Sequence, residues 1–269
     1  MSDRYQFDID GHARLVILLQ SGDVEVYPSP DGGIDASLSG KTAGVTVEQA
    51  GNTVTITSEK KTSFFTAPSV RVAVGVPSGC DLEVSGASLD VVSRQKLGAV
   101  KARTASGDIR LADSDELVVK TASGEVRFDT VHGHCDVTAA SGDLVGDAIT
   151  GDLKASLASG DVRVGRVDGD ISVKSASGDA QIDRAEGDDI AIRSMSGDIT
   201  IGLPPGIRLD FDLDALSGDI NLPPPATPSR SEPGSDEDQA AGETSERRRR
   251  LVRVQAKTVS GDINIERAV

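Results

Sequence analysis

Tryptophan is absent from these 269 residues, and aromatic side chains of any kind make up 3%. A thick core filled by large rings is therefore excluded. The apolar content is mainly Val, Ile, Leu and Ala, which with 29 glycines suits thin β-rich layers. Two cysteines, Cys80 and Cys135, are too few for a disulfide framework, so nothing in the sequence requires an oxidising compartment. Positive charge is in deficit: 28 Lys and Arg stand against 43 Asp and Glu, a net charge of −15. Nucleic acid and anionic lipid are disfavoured as general partners by that balance. Long apolar runs are missing too. The opening MSDRYQFDID carries no basic stretch followed by an apolar one, and LVILL at 15–19 is far too short for a signal core or a membrane span. On these grounds the sequence reads as that of a soluble cytoplasmic protein with no direct membrane span.

What is present in abundance is one triplet. Ser-Gly-Asp, or Ser-Gly-Glu, begins at 106, 123, 141, 159, 177, 196, 217 and 260, with an earlier copy at 21. Through the middle of the chain the spacing holds at 17 to 19 residues. A fainter copy falls at the half period, as Gly133-His134, Gly151-Asp152, Gly169-Asp170 and Gly187-Asp188. Such regularity marks one supersecondary unit stacked repeatedly.

Aligned as nonamers with the triplet at positions 1–3, the repeats place apolar residues at 4, 6 and 9. One coil gives Val162, Val164 and Val167, then Ile171, Val173 and Ala176. The next gives Ala180, Ile182 and Ala185, then Ile190, Ile192 and Met195 after a one-residue insertion. Apolar–polar alternation is the period of a strand. Each nonamer is read as a short strand plus a glycine turn, and two make a coil. Neither strand can bury its inner face alone, so the coils must stack, with residue i over residue i+18 about 4.8 Å away. Glycine suits corners of positive φ, and Ser and Asp satisfy turn backbone groups. The expected fold is all-β, a parallel β-solenoid with coils of about 18 residues. A hexapeptide helix fits poorly, because every sixth position from Val162 is Asp168 and then Lys174. The calcium-binding nonapeptide roll expects paired glycines that this triplet lacks.

The organisation follows from where the repeat holds. Residues 1–76 alternate less regularly and are expected to form an N-terminal β layer capping the solenoid, with QAGNTV as a hairpin. Solenoid repeats are expected over 77–222. Residues 223–250 are rich in Pro, Ser, Glu and Asp, end in Arg247–Arg250, and read as a disordered insert. The pattern resumes over 251–269, with Val254, Ala256 and Val259 inward, as the final solenoid strands.

SGDVEVYP, VRVAVGVPSG and the run of ASGD units resemble the DUF4097 family, the Toastrack or adhesin-type β-strand repeat domain. The resemblance covers most of the chain outside 223–250. It implies a solenoid-like, non-enzymatic module of a kind often exported or tethered to membranes.

Candidate chemistry is sparse. A column of carboxylates, Asp108, Glu125, Asp143, Asp161, Asp179, Asp198, Asp219 and Asp262, would suit divalent cations such as calcium, or is turn chemistry repeated with the coil. A second column holds Asp152, Asp170 and Asp188. His132, His134 and Cys135 are too few for a metal site without a second half elsewhere, and Cys135 falls at an inward position. Serines and only three histidines offer no nucleophile–base pairing, and no glycine loop precedes a helix to cradle phosphate. Neither an enzyme nor a cofactor is expected. Phe64 and Phe65 are candidates for an exposed partner patch or for the cap. The reading is a non-catalytic scaffold that binds a protein partner or a second copy of itself. The alternatives are a surface or secreted adhesin, a cation-binding acidic ladder, and a polymer-forming protein of the bactofilin kind.

Overall fold

The computed structural model describes residues 3–58, 69–223 and 251–268. It is all-β, with 23 strands and no helix among the described residues, hence none long and apolar enough to cross a membrane. The solenoid is built as expected, from two columns of parallel strands joined at glycine corners.

The regular middle shows the unit. In the first column β11 (Val126–Val131), β13 (Leu144–Ile149), β15 (Val162–Val167), β17 (Ala180–Ala185) and β19 (Ile199–Leu203) pair in parallel. In the second, β12 (Cys135–Ser141), β14 (Leu153–Ser159), β16 (Ile171–Ser177) and β18 (Asp189–Ser196) do the same. The register sets Leu144 beside Val162 and Val162 beside Ala180, one coil apart each time. The inner faces meet in a thin aliphatic core, in which Val162, Val164, Val167, Ile171 and Val173 are all buried.

The expected inward set fails at one position. In the first column, positions 4, 6 and 9 face inward, the alternation breaking across Gly165 and Arg166 so that Val167 is buried. The second column stays extended, so the inward residues are 4, 6 and 8: Leu153, Ala155 and Leu157 in one coil, Ile190, Ile192 and Ser194 in another. Position 9 there is outside. Ala176, Met195 and Val259, expected in the core, are exposed. Strict alternation decides the matter, since a strand that has not bent cannot bring both 6 and 9 to one face. A hydroxyl at position 8 can then serve the corner, as Thr121 Oγ1 does by donating to the Ser123 carbonyl at 2.8 Å.

Parallel pairing extends well before residue 77. β2 (Arg14–Leu18) and β3 (Ser21–Pro28) form a coil against β8 (Cys80–Ser93), which spans both columns. On the far side of that coil lie β6 (Thr53–Ser58) and β7 (Val70–Val76), again parallel. Antiparallel strands supply the cap. β5 (Val45–Ala50) forms the expected hairpin with β6 through Gly51, and β4 (Ile34–Gly40) covers the edge of β7, with β1 (Asp3–Phe7) beyond it. Phe64 and Phe65 lie outside the described residues, as do 224–250 and the Arg247–Arg250 run.

At the other end stacking order departs from chain order. β22 (Leu251–Ser260) pairs with β18 on one side and with β20 (Arg208–Ser217) on the other. Likewise β23 (Ile263–Arg267) sits between β19 and the two-residue β21 (Ile220–Asn221). The strands last in sequence are therefore penultimate in space. At both ends, the coil nearest the chain terminus is inserted one place inside the stack.

Candidate functional site

Each Ser-Gly-Asp forms the corner that carries the chain from the second column to the first. Its glycine is required twice over. Gly160 has φ +127°, and a Cβ built there would stand 2.2 Å from the carbonyl oxygen of Gly142 in the preceding coil. The same relation recurs from Gly124 to Gly261, so the corner glycines form a column of touching backbones.

The aspartates beside them form a hydrogen-bonded ladder. Asp161 donates its backbone N–H to Asp143 Oδ1 at 2.9 Å, Asp179 donates to Asp161, and Asp198 to Asp179 at the same distance. The ladder follows the spatial order through the rearranged end. Asp262 donates to Asp198 and Asp219 to Asp262, both at 2.8 Å. A separate, shorter run starts at Asp90, which accepts from Asp108 at 2.9 Å. Asp90 lies in SLD, where leucine replaces the corner glycine, so it falls outside the Ser-Gly-Asp pattern. Glu125 takes its place by donating to Asp108 Oδ1 at 3.0 Å, while its longer carboxylate turns to Arg127 and Arg110. The second column behaves alike: Asp170 donates to Asp152 at 2.9 Å, and Asp189 to Asp170 at 3.0 Å. The inserted residue thus makes Asp189 the rung there, in place of the expected Asp188.

One carboxylate oxygen of most rungs is therefore committed to a backbone amide. The other is left to solvent or to an arginine two residues on, as Asp161 Oδ2 is to Arg163 at 2.6 Å and Asp108 Oδ2 to Arg110 at 2.9 Å. Each such bond sets a backbone N–H dipole between like charges along the corner, which eases their stacking.

The histidine–cysteine trio does not converge. His132 lies 4.0 Å from Asp113 and His134 lies 3.2 Å from Asp152, both toward solvent. Cys135 points into the core, where burial, aided by Asp136, pushes its thiol up to about 12. Cys80 is likewise raised to about 12, by burial and then by Asp81. Neither is a nucleophile at neutral pH. Among the described residues no three His, Cys, Asp or Glu side chains are grouped to hold a metal ion.

The outward position 9 makes a second column, directly beside the corner. Through the middle it is small: Ala122, Ala140, Ala158 and Ala176, all exposed. Toward the C-terminal end it becomes large, in the spatial order Met195, Val259, Leu216, which are 63%, 49% and 81% exposed. Reading position 9 as inward hid this stripe from the sequence; the change from alanine to larger side chains was its only signal.

Several solved structures are similar to this chain along nearly its whole length. One described as an adhesin, from Bacteroides fragilis, is 12% identical over 98% of this chain and 97% of its own, with a TM-score of 0.41. Another described as a lipid-binding protein, from Parabacteroides distasonis, is 17% identical over 98% and 96%, with a TM-score of 0.44. A third, described as a cell adhesion protein from Clostridium sporogenes, is 10% identical over 99% of both chains, with a TM-score of 0.26. No curated protein matches the sequence. The sequence profile of Toastrack DUF4097 matches residues 12–266, from the first parallel coil to the last, and the chain belongs to that family.

Proposed function

We propose that this protein is a non-catalytic β-solenoid scaffold that binds another protein through the C-terminal part of its corner. The observation that carries the reading is the stripe Met195–Val259–Leu216, three large apolar side chains stacked in register and open to solvent on a strongly acidic molecule. Scattered exposed apolar residues are ordinary; a stacked row of them marks contact surface. The carboxylate ladder is read as corner architecture, since its oxygens already serve backbone amides.

The test compares the parent with the triple variant Met195→Ser, Val259→Ser, Leu216→Ser, each immobilised and exposed to lysate of the native cell. Proteins held by the parent and lost by the variant, at unchanged unfolding midpoint, are the expected result. Identical capture by both would overturn the stripe as the contact surface.

A further inference from the structure

The two ends of the solenoid are finished differently. At the N-terminal end the last parallel strands are covered by antiparallel β4 and β5. At the other end β20 is hydrogen-bonded to β22 along one side and, among the described residues, to no strand along the other. This edge is long, with 10 residues, and unusually patterned. Its inward residues Leu209, Phe211 and Leu213 remain only partly buried, whereas Val252, Val254 and Ala256, one coil inside, are buried. Its outward residues Asp210, Asp212 and Asp214 form an exposed acidic row.

The neighbour already in place shows what such a strand accepts. β22 alternates Val252, Val254 and Ala256 inward with Arg253, Gln255 and Lys257 outward. Arg253 approaches Asp210 at 3.9 Å and Lys257 reaches Asp212 at 3.2 Å. Asp214 has no ion pair among the described residues. Beside the start of the edge, a cavity of about 290 Å³ lies between Leu203, Ile207, Leu209, Phe211 and Leu222. It offers a hollow for one more apolar side chain.

We infer that the open edge of β20 takes up, as one further rung, an extended segment of a partner protein in which apolar residues alternate with lysine or arginine. This deepens the scaffold reading above and rests on it. Main-chain hydrogen bonds to an unpaired edge supply affinity, and alternating side chains supply selectivity. The apolar row would cover Leu209, Phe211 and Leu213, and the basic row would meet the three aspartates. A second copy of this chain is a poorer occupant. Two β20 edges related by a twofold would set aspartate against aspartate along the seam, and like charges directly opposite are destabilising.

The probe is a fluorescent peptide with the β22 sequence LVRVQAKTV, titrated into the full chain and followed by anisotropy and by hydrogen exchange. A control peptide carries Glu in place of Arg and Lys. Expected are roughly ten-fold tighter binding of the basic peptide, as a few exposed ion pairs allow, and slowed exchange over 208–217. The variant Asp210→Asn, Asp212→Asn, Asp214→Asn should lose most of that preference at unchanged melting temperature. Equal binding of both peptides would overturn the proposal, as would protection confined to the Met195–Val259–Leu216 stripe, which would leave the scaffold reading standing. Concentration-dependent self-association that protects β20 without peptide would assign the edge to a second copy. Binding seen only after deletion of 224–250 would assign it to this chain's own segment. Either result would also overturn the proposal.

Discussion

Gly160→Ala adds a single methyl group, and its cost can be worked out from two separate facts. Backbone conformation comes first: φ is +127°, a region that costs a residue with a Cβ about 1–2 kcal/mol. Space comes second. The new Cβ would lie 2.2 Å from the Gly142 oxygen and 2.7 Å from its carbon, both backbone atoms of a packed neighbour, so the coils must separate locally at about 1–3 kcal/mol. Alanine restricts the unfolded chain and returns about 0.4–1 kcal/mol. The net loss is about 1–5 kcal/mol. Two controls isolate the contributions. Gly206→Ala has φ +84° with nothing within 4 Å of the Cβ, so only conformation is charged. Gly151→Ala meets the Gly133 oxygen at 2.5 Å, at a φ outside the left-handed region, so only space is charged. Urea unfolding followed by far-ultraviolet circular dichroism should rank the midpoints Gly206→Ala highest, Gly151→Ala next and Gly160→Ala lowest. Because each coil touches only its neighbours, the weakest variant should also lose exchange protection first over 142–178. A Gly160→Ala midpoint equal to that of Gly206→Ala would refute the touching-backbone account of the corner.

Other outcomes follow from the same structure. Asp161→Asn keeps an oxygen to accept the Asp179 N–H and should cost under about 0.5 kcal/mol, while Asp161→Ala should cost about 1–2 kcal/mol in urea midpoints; equal effects would show that the ladder bond is idle. Cys80 and Cys135 should resist an aromatic disulfide reagent in the native state and react fully in denaturant, and rapid native labelling of Cys135 would mean that β12 is flipped. Burial raises the Asp81 carboxyl, but the His12 bond, the Ala99 amide and the charges of His12 and Arg14 outweigh it, so its folded value lies below the usual range. Its share of stability is thus present above the unfolded carboxylate pKa of about 3.9 and is lost as pH falls through the lower folded value. Acid titrations monitored by circular dichroism should show a shallower loss in that window for Asp81→Asn, and parallel curves would refute the linkage.

The repeat made most of the middle legible because one local rule recurs there coil after coil. Ser-Gly-Asp marks a corner, and alternation from the corner names the core, as Val162 and Val164 show. Legibility ended where two solutions share one spacing. A nonamer breaks its alternation after position 6 in one column and keeps it in the other, and nothing local to Met195 or Val259 announces which. The order of coils at the ends was beyond reach for a different reason. β22 resembles every other repeat strand, so its pattern fits equally well beside β18, beside β20 or between them. Asp90 was hidden by the opposite cause: leucine stands at its corner position, so its rung is defined by its neighbour in space and not by its own triplet.

The inward placement of the terminal coils bears on how the molecule carries a load. A strand at the end of a stack peels away one hydrogen bond at a time when its chain is pulled. Residues 14–28 and 251–267 instead have a neighbour on each side, β6 and β7 with β8 at one end, and β18 and β19 with β20 and β21 at the other. Tension entering at Arg14 or leaving at Arg267 must slide a strand out from between two others, breaking both seams together. The coils outside them are held along their strands, β6 and β7 to β2 and β3 at one end, β20 and β21 to β22 and β23 at the other. Pulled between Arg14 and Arg267, the fold should therefore yield by shear of two seams at once and not by the peeling of one.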